Sequence, residues 1–244
     1  MRASRPVLLT LLLHGCLAGA CSGEPMKADP NRPPAPPAPA GARVIDFEGM
    51  AVGAPPEGFT LARTGKGGPG RWEVVAVDGA PSGGKALAQT STDTTGYRFP
   101  LAVVEGFTAR DVDLAVRFRP VSGAVDRAAG LVWRYRDANN YYIVRANALE
   151  DNVVLYKVED GKRTDLDVKG AGRTYGVKAE VPKDAWSELR VIARGSLFTV
   201  YLNGQELFQV EDGTFREAGR VGLWTKADSV TRFDDLRFAG LDGG

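Results

Sequence analysis

Histidine and cysteine are almost missing from this chain. Its 244 residues include one histidine and two cysteines, and His14, Cys16 and Cys21 all lie within the first 21 positions. From Ser22 onward there is neither imidazole nor thiol. Serine–histidine and cysteine–histidine pairs are therefore excluded from the body of the protein, and so is a zinc site built on histidine and cysteine. An excess of either charge is also missing, with 31 basic against 30 acidic side chains and a net charge of +1. Nucleic-acid binding needs a concentrated basic surface, so a nucleic-acid partner is not expected. Strong adhesion of the folded part to anionic lipid is not expected either. No stretch after the first residues approaches the roughly 20 apolar positions that span a bilayer, and none keeps a helical period.

What is present begins with an export pattern. Arg2 and Arg5 precede an apolar run, Val7 to Leu13, too short for a stable span. Leu17-Ala18-Gly19-Ala20-Cys21 comes next, small residues leading into a thiol. This resembles the lipobox of bacterial lipoproteins, which implies removal of residues 1–20 and acylation of Cys21. A cleaved secretory signal with Cys21 a bystander stays open. More than one acyl chain, as the resemblance implies, is enough for stable anchoring. Ser22 after the thiol differs from the aspartate that retains such proteins in the inner membrane, which points to a cell envelope location at the outer membrane. Residues 21–42 carry seven prolines from Pro25 to Pro39 and almost nothing apolar. They read as an extended tether holding the domain off the lipid surface, with a disordered spacer of no selected length as the alternative.

From Arg43 the chain changes character, and residues 43–240 read as one domain. Short β-branched and aromatic runs recur between turn residues, among them Trp72–Val77, Val112–Arg119, Leu131–Arg136, Tyr141–Asn147, Val153–Val158, Glu188–Arg194, Phe198–Leu202 and Thr231–Phe238. Asn203-Gly204 is the strongest hairpin signal, with Asp160-Gly161 and Asp212-Gly213 similar. Closely spaced strands over this length predict an all-β sandwich or barrel whose core needs no disulfide.

The lines GLVWRYRDANNYYIVRANALEDNVVLYKVEDGKR, DAWSELRVIARGSLFTVYLNGQELFQ and GRVGLWTKADSVTRFDDLRF resemble the concanavalin A-like lectin/glucanase superfamily. Within it they look like the laminin-G-like and 3-keto-disaccharide hydrolase-type domains of bacterial envelope proteins. The resemblance implies a two-sheet antiparallel jelly-roll sandwich with ligands on a concave face.

Side chains alternate between faces along a strand. If Arg136 pairs with Tyr141 and Asn147 with Asn152, one face collects Leu131, Trp133, Tyr135, Tyr142, Val144, Ala146, Val153 and Leu155. The other collects Arg134, Arg136, Tyr141, Arg145, Asn147, Asn152 and Tyr156. The same logic turns Trp224 and Lys226 outward. Flat rings stack on sugar C–H faces while guanidinium and amide groups bond hydroxyls. Arg134, Tyr141, Arg145, Asn147, Tyr156, Trp224 and Lys226 are therefore candidate glycan ligands, against the alternative of a plain solvated face. Trp186 is expected in the core beside Leu189 and Val191. Glu48 near the start and Asp234 near the end would meet if the terminal strands lie side by side. They are candidate oxygen ligands for a structural calcium, as in related carbohydrate-binding modules; solvated turn residues are the alternative. No other cofactor is required.

Retaining glycosidases of this fold carry paired carboxylates roughly 5–5.5 Å apart. The expected Glu-x-Asp-x-x-Glu run is missing, and Val44-Ile45-Asp46-Phe47-Glu48 is its nearest echo. The leading expectation is a lipid-anchored module that binds a glycan or polysaccharide without catalysis. The alternatives are a glycoside hydrolase or lyase of the 3-keto-disaccharide type and a protein-binding adhesion module.

Overall fold

The computed structural model describes residues 26–241. The expected signal segment 1–20 and the lipidation residue Cys21 lie outside the described residues. Among the described residues there are seventeen strands and no helix. In chain order the strands are β1 Met26–Lys27, β2 Arg43–Ile45, β3 Phe59–Gly65, β4 Trp72–Ala80, β5 Gly83–Gln89, β6 Arg98–Val104, β7 Val112–Ser122, β8 Ala128–Asp137 and β9 Asn140–Asn147. Then come β10 Asn152–Glu159, β11 Lys162–Asp165, β12 Val177–Lys178, β13 Ser187–Arg194, β14 Leu197–Leu202, β15 Gln205–Glu211, β16 Arg220–Trp224 and β17 Val230–Gly240.

They form the expected jelly-roll sandwich. One sheet runs β1-β12-β10-β9-β8-β16-β6-β3, with β11 also on β10; the second runs β15-β14-β13-β7-β17-β5-β4, with β2 also on β17. All pairs are antiparallel except β1 with β12. Alternation builds the core between the sheets. Leu131, Trp133, Tyr142, Val144, Ala146, Val153 and Leu155 from the first sheet meet Leu114, Val116, Phe118, Leu189, Val191, Phe198 and Val200 from the second. The Trp133 ring stands edge-on to Phe198 at 5.3 Å, a favoured aromatic geometry. Trp186 is only half-buried and outside this cluster, so the core does not include it.

The Asn203-Gly204 turn joins β14 to β15 with φ of 49° and 78°. Positive φ at both central residues matches the right-handed twist of the strands it connects. Asp160-Gly161 joins β10 to β11 in the same way. Asp212-Gly213 makes no hairpin; it opens the loop between β15 and β16.

The proline-rich segment departs from expectation. Over residues 26–37 it is not a free tether but a strap seated on the domain. Met26 and Lys27 pair in parallel with Val177 and Lys178 at the end of the first sheet. Pro34 then bridges Gln205 at the end of the second, and the Ala35 N–H reaches the Gly204 carbonyl at 2.7 Å. Arg190 donates to the Pro36 carbonyl at 2.5 Å while its guanidinium pairs with the buried Asp113. A proline run has carbonyls to spare and few N–H groups, so it suits a strap held by side-chain donors from below. It also covers the start of the β15 edge, whose far end is met by Val168 and Lys169 against Val210 and Gln209.

Candidate functional site

Most of the predicted ligand residues do share one face. Tyr141, Arg145 and Asn147 on β9, Asn152 and Tyr156 on β10 and Trp224 on β16 lie on the outer side of the first sheet. Phe99, Leu101, Val132, Tyr135, Ile143 and Val154 accompany several of them in a second apolar cluster. Phe99 stacks on Trp224 at 5.2 Å, and Arg163 sits over the rings of Tyr156 and Phe99 at 4.4 and 4.8 Å. The face is dry: Tyr141, Arg145 and Trp224 are each 0% exposed and Tyr156 2%.

Arg145 is the centre of its polar part. It donates to the Tyr156 hydroxyl and Asn152 Oδ1, each at 3.2 Å, to Glu150 Oε2 at 2.6 Å and to the Tyr175 hydroxyl at 3.3 Å. Burial opposes its charge, yet the oxygens of Tyr156, Glu150 and Tyr175 prevail and hold its pKa above the ordinary value. Burial raises the pKa of Tyr141 and of Tyr156, so both stay neutral donors. Asn147 donates to Asp126 at 3.1 Å. Lys226 pairs with the other oxygen of the same carboxylate, so it belongs to this network but is only partly exposed.

Arg134 and Arg136 do not belong to this face, and Tyr135 does. The pairing of β8 shifts between Trp133 and Asp137 and again opposite Arg220 to Gly222. Arg134 sits at the irregularity with φ of 47°. Such a bulge inserts chain on one strand and re-aims the side chains around it. Tyr135 turns out to join Tyr141, with ring centres 5.9 Å apart. Arg134 turns to the other side, over Phe198 at 5.4 Å, and Arg136 lies over Phe215 at 5.2 Å. Only glycine fits opposite the bulge: a Cβ on Gly219 would stand 2.5 Å from the Arg134 carbonyl carbon.

The re-aimed Arg134 forms the floor of a cavity of about 320 Å³ lined by Arg110, Arg134, Gly195, Ser196, Gly213 and Arg216. That volume is at the small end of the roughly 300–1,000 Å³ range of ligand pockets. Three turns meet here, those before β7, between β13 and β14, and between β15 and β16. Arg134 ties them together by donating to the carbonyls of Arg110 at 2.8 Å, Phe215 at 2.7 Å and Gly195 at 2.5 Å. Its fourth contact is Asp111 Oδ1 at 3.3 Å. Burial lowers its pKa, with Tyr142 and Asp111 acting the other way. Sequence reasoning misses Arg110, Gly195, Ser196, Gly213 and Arg216 because they come from separate turns. The only local signals are the Arg194-Gly195-Ser196 and Asp212-Gly213 turn residues.

Glu48 and Asp234 meet near the β4–β5 turn, but as hydrogen-bond acceptors. Glu48 Oε1 receives the N–H groups of Gly84 and Lys85 at 3.0 and 2.7 Å. Asp234 receives those of Ser82 and Asp235 at 3.0 and 2.7 Å. Burial, opposed by those N–H bonds and reinforced by Asp235 and Glu48, pushes the Asp234 carboxyl up to about 6. The Lys85 ammonium holds the carbonyls of Glu48 and Met50, both at 2.8 Å. Among the described residues no group of three or more His, Cys, Asp or Glu gathers to hold a metal ion. Glu48 Oε1 and both Asp234 oxygens already accept N–H groups, so this pair does not fit calcium.

The family model of the 3-keto-alpha-glucoside-1,2-lyase-like domain matches residues 57–239, nearly the whole sandwich. The chain belongs to this family. No curated protein matches this member of the family in sequence. Solved structures share its fold at low identity. The cellulose-induced protein Cip1 superposes with a TM-score of 0.59 at 15% identity, covering 83% of this chain and 99% of Cip1. The carbohydrate-binding module CBM66 from Bacillus subtilis gives 0.53 at 21%, covering 73% and 93%. Domain 4 of the arabinanase AbnA from Geobacillus stearothermophilus, solved with arabinotriose, gives 0.50 at 17%, covering 81% and 92%. At these identities the likeness is one of fold: a two-sheet antiparallel jelly roll.

Proposed function

We propose that this protein is a lipid-anchored protein of the bacterial cell envelope, held at the outer membrane through Cys21, whose jelly roll binds carbohydrate and does not transform it. One observation carries the reading: a family-wide sequence match laid on a sandwich shared with two carbohydrate-binding domains, CBM66 and the arabinotriose-bound domain of AbnA. The acids support the non-catalytic part. Glu48 and Asp234 each spend oxygens on two backbone N–H groups, which leaves them poor candidates for a pair flanking a glycosidic bond. The aromatic and arginine side chains on the outer face of the first sheet act here as a framework, while the arginine cavity supplies the accessible polar groups.

The test uses the full chain, purified from membranes in mild detergent, on a glycan array. Binding of at least one glycan family, with no product released, supports the reading. An array without signal overturns it. Anchoring is read separately, by incorporation of a tagged fatty acid that Cys21→Ala abolishes; labelling that survives the substitution removes Cys21 as the anchor.

A second reading is favoured by the lyase-like description of the family. Incubation of the full chain with a 3-keto-disaccharide decides it: turnover would establish the lyase and displace the binding reading, and its absence would remove this alternative.

A further inference from the structure

We infer that the proline strap is an orientation device: it holds the Asn203-Gly204 end of the domain at the lipid surface and keeps the arginine cavity turned away from it. The inference rests on the lipid-anchored reading and gives that anchor its geometry. A tether left free over residues 21–43 would reach roughly 70–80 Å when extended, enough for any orientation. The strap ends that freedom at Met26. The Met26 N–H donates to the Gly176 carbonyl at 3.2 Å, and its side chain packs against the core. Further along, Arg32 pairs with Glu206 at 2.7 Å. Cys21 is then only five positions from the first docked residue, a reach of at most roughly 18 Å.

That reach is shorter than the sandwich is long. Strand pairing puts Met26 in one row with Val177, Val153, Ala146 and Ala129. Ala129 lies near the start of β8, and Asp137 ends it at the far side of the sheet. The distance between them along the strand is roughly 26 Å. The cavity lies toward the Asp137 end. The second sheet shows the same division across β14. Gly195 and Ser196, just before it, line the cavity, whereas Gly204, just after it, accepts the Ala35 N–H of the strap. A domain turned over, cavity down, would lift Met26 by roughly 26 Å, beyond the reach of the chain that joins it to Cys21. The domain can stand upright or lean, but it cannot invert. No attraction to lipid is needed, which suits a chain of net charge +1. A cavity held in this way takes a glycan from the space beyond the surface, rather than a headgroup sugar of the membrane that carries the domain.

The test uses the full acylated chain added to vesicles of phosphatidylethanolamine and phosphatidylglycerol that carry a headgroup-labelled acceptor lipid. A donor fluorophore is attached through Lys178→Cys, beside the strap, or through Ser196→Cys, at the cavity rim; both positions are exposed. Energy transfer from position 178 should exceed that from position 196 by about twofold or more, given a separation of roughly 20 Å along β14. A second variant inserts about 20 Gly/Ser residues between Gly23 and Glu24, adding a span of ~25 Å without touching the docked strap. The difference between the two positions should then disappear. Equal transfer from both, stronger transfer from position 196, or a difference that survives the insertion overturns the inference while the domain stays on the vesicles. A domain that carries no fatty acid at Cys21 and leaves the vesicles marks the failure of the anchoring reading, and the inference falls with it.

Discussion

Two buried arginines, Arg145 and Arg134, sit on neighbouring strands and do opposite things. Arg145 lies in regular strand on the outer face of the first sheet. Its partners are side chains: two tyrosine hydroxyls, an amide and a carboxylate. Arg134 lies at a bulge, and three of its partners are backbone carbonyls from separate loops. Side-chain partners can turn or take up water when their donor is lost. Carbonyls in turns cannot turn independently, because moving them moves the chain; of these three, the bond to Phe215 is buried and the other two are part-buried. The first arginine therefore joins a network, and the second fixes an architecture.

That difference should be largest in stability. Arg134→Ala leaves one buried and two part-buried carbonyls without this donor and Asp111 without this partner, where a buried group left unsatisfied costs about 1–3 kcal/mol and the part-buried ones less. Allowing for relaxation, we expect a loss of about 4 kcal/mol in urea unfolding. Arg145→Ala should cost less, about 2–3 kcal/mol, since its Glu150 partner is already 38% exposed and regains water readily. A larger loss at Arg145 than at Arg134 would reverse the comparison.

The bulge can be attacked from its other side. Gly219→Ala places a methyl 2.5 Å from the Arg134 backbone. Overpacking against backbone has no flexible end to give way, so a loss of about 2 kcal/mol is expected. The structural signature would be a change in the amide resonances of Arg110, Gly195 and Phe215, with those of Tyr156 and Tyr175 unmoved. Shifts spread evenly over both regions would show that the two arginines are not independent.

How much of this is legible in the sequence depends on the kind of signal. Alternation places Leu131, Trp133, Tyr142 and Val144 inward and Tyr141, Arg145 and Tyr156 outward, because a period of two needs only local sequence. It misassigns Arg134, Tyr135 and Arg136 at the bulge. A positive φ at an arginine leaves no mark in composition, and the residue that permits it, Gly219, lies outside that strand. Two strands escape notice for other reasons. β6 carries Pro100, which argues against a strand because it lacks an N–H, although its carbonyl still accepts from Thr225 at 3.0 Å. β3 reads Phe-Thr-Leu-Ala-Arg-Thr-Gly, too polar to stand out, since it is the edge of its sheet. The proline strap is legible as extended chain. Its docking is not, because the donors that hold it, on Arg190 and Gln205, are over 150 positions away.

A smaller effect concerns charge rather than packing. The Asp234 carboxyl should titrate with a midpoint of about 6 in carbon-detected spectra. Its folded value is raised above the ordinary 3.8, so the native state binds the proton more tightly. This group's contribution to stability is therefore complete below about pH 4 and is lost as pH climbs through 6. Glu48→Gln removes one negative neighbour and should lower the midpoint. A midpoint near 4 would mean that water reaches this carboxyl. The acid pair would then be a solvated turn rather than part of the interior.

The smallest stability effect belongs to the residue with the largest expected effect on ligand. Arg216 is exposed and makes one bond, to the Gly213 carbonyl in its own loop. Arg216→Ala should change unfolding free energy by no more than about 0.5 kcal/mol, as substitutions away from buried networks do. Arg145 is the opposite case, with every contact inward and nothing left over for a ligand. If the cavity is the binding site, stability and affinity separate between these two arginines: Arg145→Ala weakens the fold and leaves the affinity of the folded fraction unchanged, while Arg216→Ala does the reverse. Measuring both variants by urea unfolding and by calorimetry tests this directly. An Arg145→Ala variant that folds fully but loses its glycan would return the site to the outer face of the first sheet, where alternation alone puts it.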